Sequence, residues 1–190
     1  MRADARKNRD HLLAVAGAVI TEQGVDASLR DIARRADVGL ATLLRHFPTR
    51  EALLEALLRT SFDALTARAG ELETSSSPED ALVSWVRDYT AWATEYRGAI
   101  VLMAAAIGAP ESALHAACVT LRAAGARLLT RAQAAGVARA DVDGTDLFAL
   151  IAALAWLGEQ PSLAPRADHL FELVTSAILT SPASGDAASG

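Results

Sequence analysis

The spacing of helix breakers against a 3.6-residue apolar period constrains this chain more than any other feature. Leu12, Leu13, Ala16, Val19 and Ile20 fall on one face of a helix predicted over 8–23, and Gly24 follows as its terminating residue. Ser28 opens a second helix whose apolar face is Leu29, Ile32, Ala33 and Ala36, and Ser28-Leu29-Arg30-Asp31 fits a capping box. A break at Asp37-Val38-Gly39 precedes a brief third helix over 40–47, where Leu43 and Phe47 lie four apart. Pro48 ends it, because the proline ring cannot continue the hydrogen-bond ladder.

The remaining chain reads the same way. Thr49 caps a helix reaching about residue 73, and Ser77-Pro78-Glu79-Asp80 opens the next with Pro78 at its first position. Gly98 and Gly108 bracket a short helix. Pro110 opens one that runs to about residue 135, before Gly136. Asp143 or Thr145 opens the next, and Pro165 the last, which ends near Thr180. The expected class is all-α, about nine helices: an N-terminal three-helix head and a C-terminal helical bundle body. Of the 190 residues, 52% are hydrophobic but only 5% aromatic, so the apolar content is largely Ala, Leu and Val, and Ala and Leu are strong helix formers. The expected domains are a head over 1–50, with the helix from 49 bridging to a body over 51–181, and a small, polar, disordered tail over 182–190.

Several classes are disfavoured. The lone Cys118 cannot form an intramolecular disulfide, which suits a reducing cytoplasm. Met1 to Asp10 is too polar for a signal peptide, and the apolar stretches 99–109 and 147–157 are far shorter than a membrane span, so no membrane partner is expected. There is no nucleophile elbow, phosphate loop or dinucleotide fingerprint, so no enzyme is expected. His11, His46, His115 and His169 lack metal-ligand spacing. Asp141, Asp143, Gly144 and Asp146 do not fit a calcium loop and read as a helix cap. No metal and no cofactor are expected.

The net charge of −5 masks an asymmetry. Residues 1–50 hold nine of the 18 basic residues against six of the 23 acids, so the head carries +3; nine against seventeen leaves −8 on the rest. A basic head on an acidic body points to a polyanion at one end. Two short helices across a three-residue break form a helix-turn-helix, whose second helix fits the major groove of double-stranded DNA. Its inward face would be Val38, Leu43 and Phe47. Its outward face would be Leu40, Ala41, Thr42, Arg45 and His46. Thr42 suits a base or phosphate, Ala41 allows close approach, and Arg45 suits guanine or phosphate. For His46 the alternative is partial burial beside Phe47. Ser28 and Arg50 start neighbouring helices, whose free N–H groups favour phosphate.

The sequence resembles the TetR family over about residues 8–60. The resemblance rests on Ser28-Leu29-Arg30-Asp31-Ile32-Ala33, Ala36-Asp37-Val38-Gly39 and the run Ala41-Thr42-Leu43-Leu44-Arg45-His46-Phe47-Pro48-Thr49-Arg50-Glu51-Ala52-Leu53. It implies DNA contact by Ser28, Arg30, Gly39, Leu40, Ala41, Thr42, Leu44, Arg45, His46 and Arg50. It also implies a homodimer on a palindromic operator, and a repressor released by a small hydrophobic or amphipathic ligand. Three positions depart from the family. Leu44 stands where a phosphate-touching Tyr is usual, Gly39 where Ser or Thr caps the helix, and Asp37 where Gly is usual. Phosphate contact then shifts toward Arg45, Arg50 and an arm of Arg2, Arg6, Lys7 and Arg9. The alternatives are a helical small-molecule carrier whose head no longer reads DNA, and a DNA-binding dimer that senses no ligand.

Trp85, Tyr89, Trp92 and Tyr96 form one aromatic stripe, readable as core or as pocket wall. Phe62, Met103, His115, Arg122 and Trp156 are further pocket candidates. Leu147, Leu150, Ile151, Leu154 and Leu157 suit either the body's own core or a second copy. The resemblance favours the second copy and adds Phe171, Val174 and Ile178 from the last helix.

Overall fold

The breakers cut the chain into helices close to where the sequence places them. The computed structural model describes residues 2–75, 77–96, 101 and 109–180, with the side chains of 2–6 and 75 left out. Eight α-helices form among the described residues: α1 Arg2–Gln23, α2 Leu29–Arg35, α3 Leu40–His46, α4 Arg50–Ser75, α5 Pro78–Glu95, α6 Ala113–Ala134, α7 Gly144–Glu159 and α8 Ala167–Ile178, the last preceded by a 3₁₀ turn at Ala164–Arg166. The short helix expected between Gly98 and Gly108, Met103 within it, and the tail 182–190 lie outside the described residues.

The helix ends follow local chemistry. Gly24 (φ 85°) and Gly136 (φ 72°) supply the left-handed residue that ends α1 and α6. Thr49 Oγ1 accepts from the Ala52 N–H at 3.1 Å and caps α4. Ser77 Oγ accepts from the Asp80 N–H at 3.1 Å with Pro78 at the first position of α5. The capping box expected at Ser28 does not form. Ser28 holds the N-cap position in extended backbone without a side-chain bond, and the Asp31 carboxylate is bonded to Arg34 and to Gln23 Nε2 (2.9 Å for the latter). A complete box stands at α7 instead. Asp143 Oδ1 accepts from Thr145 N (2.6 Å) and Asp146 N (3.0 Å), and Asp146 Oδ2 accepts from Asp143 N (3.0 Å). α1 begins at Arg2 rather than near Asn8, so the basic arm is helical. α6 begins at Ala113 rather than Pro110, with Ser112 Oγ accepting from the His115 N–H at 2.9 Å.

The described residues fall into two compact units, one within 1–64 and 95–119, the other within 65–94 and 120–180. In the first, one core cluster joins Leu12, Ala16 and Ile20 of α1, Ile32 of α2, Leu43 of α3 and Leu53 of α4. In the second, Trp85 is fully buried, donates Nε1–H to the Leu65 carbonyl at 2.9 Å, and meets Tyr89 and Phe148 edge-on at ring separations of 5.5 and 5.9 Å. The chain after α8 returns to the loop after α6. Arg139 N donates to the Ile178 carbonyl at 2.9 Å and Thr180 N to the Val137 carbonyl at 3.1 Å. This makes an isolated antiparallel bridge between Ala138 and Leu179; no strand forms among the described residues. No described helix is long and apolar enough to cross a membrane.

Candidate nucleic-acid interface

The turn between α2 and α3 decides what α3 presents. The Asp37 N–H donates to the Arg34 carbonyl (3.2 Å) and the Val38 N–H to the Ala33 carbonyl (3.0 Å), the paired bonds of a Schellman motif. That motif needs a left-handed residue at its centre. Asp37 fills it at φ 54°, a conformation that Asp accepts more readily than most side chains. Gly39 follows as N-cap, its carbonyl accepting from Thr42 N (2.9 Å) and Leu43 N (3.2 Å).

α3 is then held from behind. Leu43 is fully buried, Phe47 nearly so, and Val38 packs half-buried on the same cluster. The Arg9 guanidinium lies over the Phe47 ring, 5.2 Å from its centre. The outer face is left to solvent. Ala41, Leu44 and Arg45 are exposed, as is the cap residue Gly39, while Leu40, Thr42 and His46 are half-buried. The His46 ring sits 6.4 Å from that of Phe47, tilted by 44°, so its expected alternative, partial burial beside Phe47, is also seen. Ser28 and Arg30 are exposed at the start of α2. Arg34, one turn after Arg30, is exposed as well but is paired with Asp31; the sequence reading did not single it out, and the Arg30/Arg34 spacing was the available signal.

Arg50 is half-buried at the start of α4. Its Nη1 donates to the Ala27 carbonyl at 2.5 Å and the Val25 carbonyl at 3.2 Å, so the side chain clips the loop before α2 onto the start of α4. That nitrogen is committed to the protein's own backbone, a structural role the sequence did not suggest. Arg35 is likewise engaged, with Glu22 at 2.7 Å. Asp31, bonded by Arg34 and Gln23, has its carboxyl held below the usual carboxylate range.

Of the residues expected to line a ligand pocket, Phe62 and His115 belong to the first unit and Trp85, Tyr89, Trp92, Arg122 and Trp156 to the second. Phe62, Trp85, Tyr89 and Trp92 are buried, the last three as core packing in the second unit. His115 and Arg122 are half-buried, and Arg122 stacks over Phe148 at 5.2 Å. Trp156 is 56% exposed. The residues expected at a dimer face divide by burial. Leu147, Ile151, Leu154, Phe171 and Ile178 are buried inside the single chain, and Leu150, Leu157 and Val174 are half-buried.

Residues 12–57, which hold α2, α3 and the turn between them, match the bacterial regulatory proteins of the tetR family. Residues 77–178 match the C-terminal domain of SbtR-like transcriptional regulators. The chain belongs to the TetR family. A TetR transcriptional regulator from Streptomyces coelicolor is similar at 34% identity and TM-score 0.72, over 92% of this chain and 99% of that one. A TetR transcription regulatory protein from Mycobacterium vanbaalenii is similar at 30% identity and TM-score 0.66, over 94% and 99%. The HTH-type transcriptional repressor KstR2 of Mycolicibacterium smegmatis is 36% identical over 76 residues, 39% of this chain and 37% of that repressor's length. This TetR-family chain is therefore a DNA-binding transcriptional regulator, and α2-turn-α3 is its helix-turn-helix.

Proposed function

We propose that this regulator is a cytoplasmic homodimer that represses transcription from a palindromic operator and is released by a small amphipathic ligand. One observation carries the DNA reading: α3 has its anchors, Leu43 and Phe47, fully inward and its opposite face, Ala41, Leu44 and Arg45, open. A head that no longer read DNA would have no use for that division, which disfavours the carrier alternative. Thr42 and Arg45 read bases; Ser28 and Arg30 meet phosphates, with Arg34 beside them. Repression is supported by the likeness to a protein named as a repressor.

The dimer reading moves to a different surface. Ala149, Ala153 and Trp156 form an exposed stripe on α7 at helical spacing, and Leu173 and Ala177 do so on α8. Trp156 and Leu173 are 56% and 53% exposed, large apolar groups that a second copy would cover. The ligand reading is supported by a groove of about 720 Å³ within the first unit, a volume that suits a small organic molecule. α1 and α4 line it, mostly with apolar groups, and among the described residues Asp10, Glu22 and Glu95 border it with no basic residue. That lining favours a ligand with a cationic end. Linkage then requires the ligand to bind the form incompetent for DNA more tightly than the competent one.

Footprinting the purified protein on DNA flanking its own gene tests this. A protected palindrome is expected; protection without sequence preference would reject a specific operator.

A further inference from the structure

Leu44 is a leucine in the wrong place for packing. It lies outside the head's core cluster and is 36% exposed, while its neighbour Leu43 is fully buried and already anchors the helix. At 3.6 residues per turn, Leu44, Ala41 and Arg45 fall within an arc of roughly 100°, with Arg45 and Ala41 turned away from Leu43 and Phe47 and Leu44 at the arc's edge, about 60° from Phe47. A leucine has no donor, so it cannot serve a phosphate oxygen. What it offers is a branched apolar end, next to an alanine short enough to let a base edge approach. In the major groove, thymine alone presents a methyl group; the other base edges present only donors and acceptors.

We infer that Leu44, with Ala41 beside it, is a specificity-determining residue that selects thymine through its 5-methyl group. The inference rests on the operator-binding reading above and adds what that reading leaves open, the chemical identity of one position in each half-site. Burying the methyl against Leu44 contributes through the hydrophobic effect. Uracil, which pairs identically but lacks the methyl, forfeits that contribution. Arg45 and then Thr42 follow Ala41 around the helix on the side opposite Leu44 and place polar groups next to the contact.

The test uses the full-length protein and synthetic duplexes of the footprinted operator, with each thymine of a half-site replaced in turn by uracil and affinity read by fluorescence anisotropy. At one position, uracil should weaken wild-type binding about fourfold per half-site, the equivalent of one buried methyl group. Leu44→Ala should bind the thymine and uracil duplexes equally there. Leu44→Gln, which keeps the side-chain length and helix preference, should do the same and guards against a folding defect in the first variant. Equal wild-type affinity for thymine and uracil at every position overturns the inference and leaves operator binding standing. Discrimination that survives in both variants also overturns it and assigns the methyl to another side chain. Failure of the wild type to bind any specific site overturns both readings together.

Discussion

Replacing Arg50 with alanine separates two roles that a cation at a helix start can play. In the structure its Nη1 serves the Ala27 and Val25 carbonyls at 2.5 and 3.2 Å. A hydrogen bond to a charged group contributes about 1.5–3 kcal/mol. Here two acceptors share one nitrogen in a partly buried site, so about 1.5–3 kcal/mol for the pair is the appropriate scale. Against this, a cation in the first turn of a helix opposes the helix dipole, and removing it regains about 0.3–1 kcal/mol. The net expectation is a loss of about 0.5–2.7 kcal/mol, read as a lower urea midpoint by far-UV circular dichroism. The salt dependence of operator affinity, measured on the same preparation, should keep its slope, because no phosphate contact is lost. Unchanged stability with a slope reduced by about 1 would refute the reasoning and put Arg50 on the DNA backbone.

Three further outcomes follow from the packing and the caps. Gly125→Ala should destabilise by about 1–3 kcal/mol even though alanine gains about 1 kcal/mol of helix preference, because its Cβ would sit 2.5 Å from the Trp85 indole and 3.1 Å from Phe148. A raised thermal midpoint would contradict that. Trp156→Glu with Leu173→Glu should give a folded monomer by analytical ultracentrifugation, whereas Leu147→Glu should unfold the chain; a dimer that survives the first pair places the interface elsewhere. The Asp143 carboxyl accepts from the Asp146 and Thr145 N–H groups, which hold its pKa below the ordinary value. A lowered folded-state pKa gives stability that is complete above about pH 4 and lost as pH falls through the folded value. The difference in midpoint between wild type and Asp143→Ala should therefore shrink below about pH 4; a constant difference from pH 6 to pH 3 would reject the charged cap.

The sequence made the head legible because its signals are local. Gly24, Pro48 and Thr49 act on the residues beside them, and Asp37 showed its left-handed turn by standing where a glycine is usual. Other features depend on what comes close in space. Periodicity said that Leu147, Ile151 and Leu154 share a buried face, but not against what, and the chain's own core covers them. At the Ser28 box, the Asp31 carboxylate is bonded instead to Arg34 and to Gln23, the latter eight residues earlier. The partners of Arg50 lie 23 and 25 residues earlier, beyond any local pattern. Trp156 was legible as a large aromatic residue, but its outward aim shows only once α7 is placed by Leu147 and Ile151.

The central claim is that the outer face of α3 enters the major groove. Cys118 is buried, so Ala41→Cys offers a single reactive thiol on that face. An iron–EDTA chelate tethered there should cut the operator within each protected half-site and leave scrambled DNA intact. A protected operator that the chelate does not cut would mean that another surface of the protein holds the DNA.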